Sequence, residues 1–147
     1  MEKQALKTLS VLLGLLCATA TLQAQEKKPL LSGEKVYQQI CFACHATGVA
    51  QAPKVGDATA WKPLIAEGQA TLTGHAWVGV RGMPAQGGAP KLSLEEFARA
   101  VAWMTRQSGG TWNDPDGETL KAIRKEARER LQKQTAARRK LLDEPAR

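Results

Sequence analysis

Cys41-Phe42-Ala43-Cys44-His45 carries more chemical information than any other stretch of this 147-residue chain. The pattern C-x-x-C-H marks covalent attachment of a c-type haem. The spacing has a chemical basis. Two thiols three positions apart on a helical turn can each form a thioether to one vinyl group of the macrocycle, and the adjacent His45 is then held beneath the iron. An imidazole nitrogen suits both oxidation states of that metal. Two other readings compete. A thiol–disulfide exchange site would sit near a βαβ pattern, and the sequence has none. A zinc site would need a fourth ligand, and His75 is the only histidine outside the motif.

The flanking sequence reads as short helices and loops. Ser32 is a candidate N-cap for a helix through Val36, Tyr37 and Ile40, whose spacing fits one helical face. Residues 46–60 are rich in Gly, Ala, Pro and Thr and read as loop. Short helices are expected over 61–66 and 69–80, parted by Gly68. Residues 81–90 hold too many Gly and Pro for a regular element. Ser93-Leu94-Glu95-Glu96 is a capping box opening a helix with apolar positions at Leu94, Phe97, Ala98, Val101 and Met104, which Gly109 and Gly110 stop. No strand pattern appears, so the fold class is all-α. A domain this small and loop-rich calls for a staple or a cofactor.

Four candidates exist for the position opposite His45: Met83, His75, Met104 and an open site. Met104 falls on the helix opened by Ser93, where Met is ordinarily packing. Met83 sits in Arg81-Gly82-Met83-Pro84, a loop free of helical constraint, with Pro84 fixing the local backbone. A thioether opposite His raises the potential and fills the last coordination position. His75 would give a lower-potential bis-His iron; it reads as an exposed loop histidine. Met83 is the favoured ligand.

Both ends carry signals of their own. Lys3 and Lys7 precede an apolar run at 9–16, followed by small residues and a cleavage point at Ala24, so 1–24 reads as a signal peptide. The run is short for a membrane span. Removing it takes away Lys3, Lys7 and Glu2, and lowers the net charge from +7 to +6. Residues 25–31 are a short lead, and 32–112 the haem domain. Residues 113–147 hold ten Lys or Arg and seven Asp or Glu. Leu120, Ile123, Ala127, Leu131 and Gln134 form a helical stripe there, which predicts a long amphipathic helix outside the core domain.

The segment 33–49 (Gly-Glu-Lys-Val-Tyr-Gln-Gln-Ile-Cys-Phe-Ala-Cys-His-Ala-Thr-Gly-Val) resembles the opening of the bacterial class I c-type cytochromes. Ala-Pro-Lys-Val-Gly-Asp at 52–57, Trp61, and Met-Pro-Ala-Gln-Gly-Gly at 83–88 resemble the monohaem cytochrome c-five subgroup in particular. The likeness covers about 32–108. It implies a globular all-α fold around one covalent haem c, with His45 and Met83 as axial ligands. It also implies that the Pro53 carbonyl accepts from the His45 ring, an arrangement that orients the imidazole and raises its basicity. Trp61 is implied to reach a haem propionate, and Tyr37 to pair with Phe97 or Trp103. Some relatives carry a further disulfide near the Met loop, for which this chain has no spare cysteines after residue 24.

The function expected from this sequence is periplasmic electron transfer by an exported carrier that is not itself an enzyme. Its redox partners are expected to be acidic at the contact, since positive charge steers such encounters. One alternative is a dedicated subunit of a periplasmic oxidoreductase, docked by the C-terminal helix. Another is a haem ligand sensor or enzyme with an open sixth site, against which Met83-Pro84 argues. Arg138, Arg139 and Lys140 invite a nucleic-acid reading, but export and the interleaved Glu126 and Glu129 favour a solvated helix face. No nucleic-acid partner is expected. Weak attraction to an anionic membrane surface is the interaction the basic tail suggests.

Overall fold

The computed structural model describes residues 29–144; the expected signal peptide lies outside the described residues. Ser32 caps the first helix, accepting from the Lys35 amide at 3.3 Å. Helix α1 (Gly33–Val36) runs without interruption into a π turn (Tyr37–Cys41) and α2 (Phe42–His45). A 3₁₀ turn (Val49–Gln51) precedes α3 (Ala58–Ala66), whose first turn is capped by Asp57, accepting from the Ala60 amide at 3.0 Å. Gly68, at φ 88°, separates α3 from α4 (Gln69–Val78). The stretch 81–90 holds only a 3₁₀ turn (Ala85–Gly88), as its breakers dictate.

Helix α5 (Leu94–Gln107) starts at the expected capping box, with both reciprocal bonds of Ser93 and Glu96 present. It supplies much of the core: Phe97, Ala98, Ala100, Val101 and Met104 are all buried. Tyr37 packs on Trp103 with ring centroids 4.6 Å apart. Phe97 instead meets Trp77 of α4 edge-to-face at 5.4 Å. The Glu96 carboxylate also accepts from the Leu31 amide at 3.1 Å, tying the lead segment to α5.

Helix α6 (Gly117–Asp143) begins at Asp116, whose carboxylate accepts from the Thr119 amide at 2.8 Å. The expected long helix is present, and part of it packs on the domain that precedes it. The first half lies along α4, burying Ile123 completely and Ala127 nearly so. The second half is bare: Leu131 is 55% exposed and Leu142 79%. The stripe is continuous in sequence, but α4 is only ten residues long and runs out beneath it. No strand forms among the described residues, and no helix there is long and apolar enough to cross a membrane.

Candidate haem site

The run 33–45 delivers the motif to the interior. In its π turn the Phe42 amide reaches back five residues to the Tyr37 carbonyl. Such a one-turn widening is a feature of functional sites. Cys41 is buried and Cys44 exposed, and both thiols are free. Burial, with Cys44 alongside, pushes the Cys41 thiol up to about 11. Thiol–disulfide exchange needs the opposite, a thiolate favoured near neutrality.

Four consecutive residues, 53–56, form a strap beside His45, and two of them bond to it. The His45 Nδ1–H donates to the Pro53 carbonyl at 2.9 Å. The Lys54 carbonyl accepts from the Trp61 indole at 2.8 Å. The Val55 amide donates to the His45 carbonyl at 2.8 Å. The Gly56 amide donates to Ser108 Oγ at 3.1 Å, anchoring the strap to the end of α5. With Nδ1 carrying the proton, neutral His45 keeps a lone pair on Nε2, the form that ligates a metal.

Cys41, Cys44, His45, Pro53, Trp61 and Met83 all line one cavity of about 920 Å³. That volume is in the range of cofactor pockets, roughly 300–1,000 Å³. Met83 is held on the wall by a tight turn in which Val80 and Met83 exchange main-chain bonds of 3.1 and 2.9 Å. Gly79 makes room for that turn. Its φ is 100°, and a Cβ there would lie 3.2 Å from the Met83 carbonyl oxygen and 3.0 Å from the Ala85 nitrogen.

The profile of the family described as "Cytochrome C oxidase, cbb3-type, subunit III" matches residues 28–104. Cytochrome c-555 of Chlorobaculum thiosulfatiphilum is 43% identical over 81 residues, covering 52% of this chain and 94% of that protein. Cytochrome c5 of Azotobacter vinelandii is 38% identical over 77 residues, covering 50% of this chain and 92% of that protein. The chain belongs to the class I c-type cytochromes. In a solved electron-transfer complex of nitrite reductase with cytochrome c, one chain aligns at TM-score 0.51 and 40% identity, covering 54% of this chain and 99% of that one. The cytochrome therefore has the small class I fold with a C-terminal helix added beyond the matched region.

The family implies haem c with iron, and the cavity fits that group. Its walls offer an imidazole and a thioether, donors suited to haem iron, together with two free thiols at the attachment spacing. Ala50, Gln51 and Arg81 line it in left-handed backbone conformations, at φ 52°, 61° and 52°. Non-glycine residues held this way cost about 1–3 kcal/mol each and cluster at ligand clamps.

The Trp61 N–H, expected at a propionate, donates to the Lys54 carbonyl at 2.8 Å. One expectation is corrected. His75 is no exposed loop residue; it sits on α4, half-buried on the cavity wall, with Nδ1 3.5 Å from Glu67 Oε2. The wall also includes residues that the sequence does not single out for the site, among them Glu67, Val101 and Arg130. Val101 had been placed on the apolar face of α5, with nothing to show that this face borders the cavity. Arg130 continues the 123, 127 stripe by three residues, a signal that its charge concealed.

Proposed function

We propose that this cytochrome is a periplasmic electron carrier, not an enzyme. One haem is held through thioethers from Cys41 and Cys44, with His45 and Met83 as axial ligands. Residues 1–24 are its signal peptide, 32–112 its haem domain and 113–147 its basic helical tail. The observation that carries this reading is the convergence of those four side chains on one cavity, with the His45 ring already oriented by Pro53.

When bound, haem supplies a one-electron ferric–ferrous couple. The chain does the rest. Pro53 holds the imidazole tautomer and raises the basicity of the ligating nitrogen. Met83, on the same cavity wall, would offer the iron a thioether, a donor that favours the reduced state and would leave no position for a substrate. Trp61, Leu64 and Val101 exclude water from the cavity wall and lower the local dielectric. Electrons enter and leave at the mouth, where Cys44 and Val49 are exposed.

The related chain in an electron-transfer complex with nitrite reductase supports transient docking to redox proteins. Interfaces of that kind are small. Arg81 on the cavity wall, Lys54 beside Gly48 and the positive net charge favour a partner that is acidic at the contact.

The test is an optical spectrum of protein made with haem-maturation machinery, beside a Met83→Ala variant. The wild type is expected to show a weak far-red band from sulfur-to-ferric-iron charge transfer, and the variant to lose it. A band that survives the substitution would reassign the sixth ligand to another sulfur; its absence from the wild type would overturn thioether ligation.

A further inference from the structure

One wall residue of the haem cavity comes from outside the matched region. Arg130 belongs to α6, well beyond residue 104. Ile123, Ala127 and Arg130 are spaced by four and three, so they share one helix face. The first two are buried in the contact with α4. That contact is close: a Cβ on Gly74 would lie 2.7 Å from Glu126 Cβ and 3.0 Å from the Ala127 nitrogen. The face that docks α6 therefore also sets Arg130 into the cavity.

The guanidinium arrives without a full complement of acceptors. Arg130 Nε is buried and has no hydrogen-bond partner. Leaving a charged donor unsatisfied in this way is costly. The carboxylate that shares the wall, Glu67, lies against His75 instead. Haem carries two propionate carboxylates at its periphery. A planar fork of N–H donors matches a carboxylate bidentately.

We propose that Arg130 binds a haem propionate, so that α6 is a working part of the haem pocket and sets its potential. This rests on the haem reading above. A fixed positive charge at that edge favours the ferrous state, which carries one positive charge fewer. The extension raises the potential above that of the same domain without it.

The experiment is spectroelectrochemistry on holoprotein, comparing wild type with Arg130→Gln, Arg130→Lys and Arg139→Gln. An alkaline pyridine spectrum first shows whether haem is covalently attached; failure there would sink the haem reading, not this one. With haem attached, Arg130→Gln is expected to lower the reduced-to-oxidised ratio at fixed poise by about three- to tenfold. Arg130→Lys keeps the charge and stays closer to wild type, which preserves a readout if the glutamine variant folds poorly. Arg139 lies on the bare half of α6, and its substitution leaves the ratio unchanged. The proposal is overturned if Arg130→Gln matches wild type, if Arg130→Lys falls as far as Arg130→Gln, or if Arg139→Gln shifts the ratio equally.

Discussion

At Gly33, helix α1 meets α5 so closely that a Cβ would collide with the main-chain carbonyl of Arg99. At Gly74, α4 meets α6 with the same kind of approach, but the nearest atom is the Cβ of Glu126, at 2.7 Å. The first crossing lies wholly within the region shared with other class I cytochromes. The second joins that region to a helix beyond it. Both use a missing side chain to bring two backbones together, and they differ in what stands opposite. A main-chain carbonyl in the middle of α5 cannot move alone, because the helix ladder moves with it. The Glu126 Cβ also moves only with its own main chain, and the Ala127 nitrogen stands beside it at 3.0 Å, but the overlap there is shallower than at Gly33. The crossing within the shared domain is thus the tighter of the two, and the added helix is seated with a smaller overlap.

The sharpest way to break this comparison is to fill both gaps. Gly33→Ala is expected to have the largest effect. Overpacking a tight contact costs typically 1–3 kcal/mol, and an immovable carbonyl puts this site at or above about 3 kcal/mol. Chemical denaturation of the holoprotein should show a strongly lowered midpoint, with Tyr37–Trp103 packing disturbed alongside. A midpoint close to wild type would mean that the helices part easily, and the contrast with Gly74 would collapse.

Gly74→Ala should do less to the whole molecule and more to one part of it. Alanine recovers about 0.5–1 kcal/mol of helix propensity in α4, against an overpacking cost of about 1–3 kcal/mol. A net loss near 1 kcal/mol is expected, concentrated in the α4–α6 contact. Limited proteolysis reads it: cleavage between Trp112 and Gly117 should speed up while the haem spectrum stays as in wild type. Equal resistance in variant and parent would show that α6 is not held by this crossing.

How much of this could be read beforehand follows from what each feature depends on. The capping box at Ser93, the breaks at Gly68 and Gly109 and the haem motif are local, and local chemistry appears in sequence directly. The Pro53 carbonyl was reached only through family likeness, because no rule of spacing pairs a ring with a carbonyl eight residues away. Which half of α6 is buried was hidden for another reason. The stripe from Leu120 to Gln134 is even along its length, and the length of α4, on another part of the chain, decides where packing ends. Arg130 was hidden because a charged residue on a polar helix reads as solvated until the cavity beneath it is seen.

The smallest effect lies at the start of α6 and asks whether its first turn is secured independently of the crossing. The Thr119 amide, donating to Asp116 at 2.8 Å, holds that carboxyl below the usual carboxylate range. A depressed pKa means that the charged form is the one the fold favours. The contribution is full above the unfolded-state pKa and drains away as pH falls through the lower, folded one. Because the group is open to solvent, salt and water keep the effect small. Asp116→Asn retains a capping oxygen that does not titrate. Its Thr119 amide should keep its hydrogen-exchange protection into acid, where the parent loses protection below the usual carboxylate range. If both lose it together, the whole helix is lifting from α4, and the Gly74 contact, not the cap, governs the first turn.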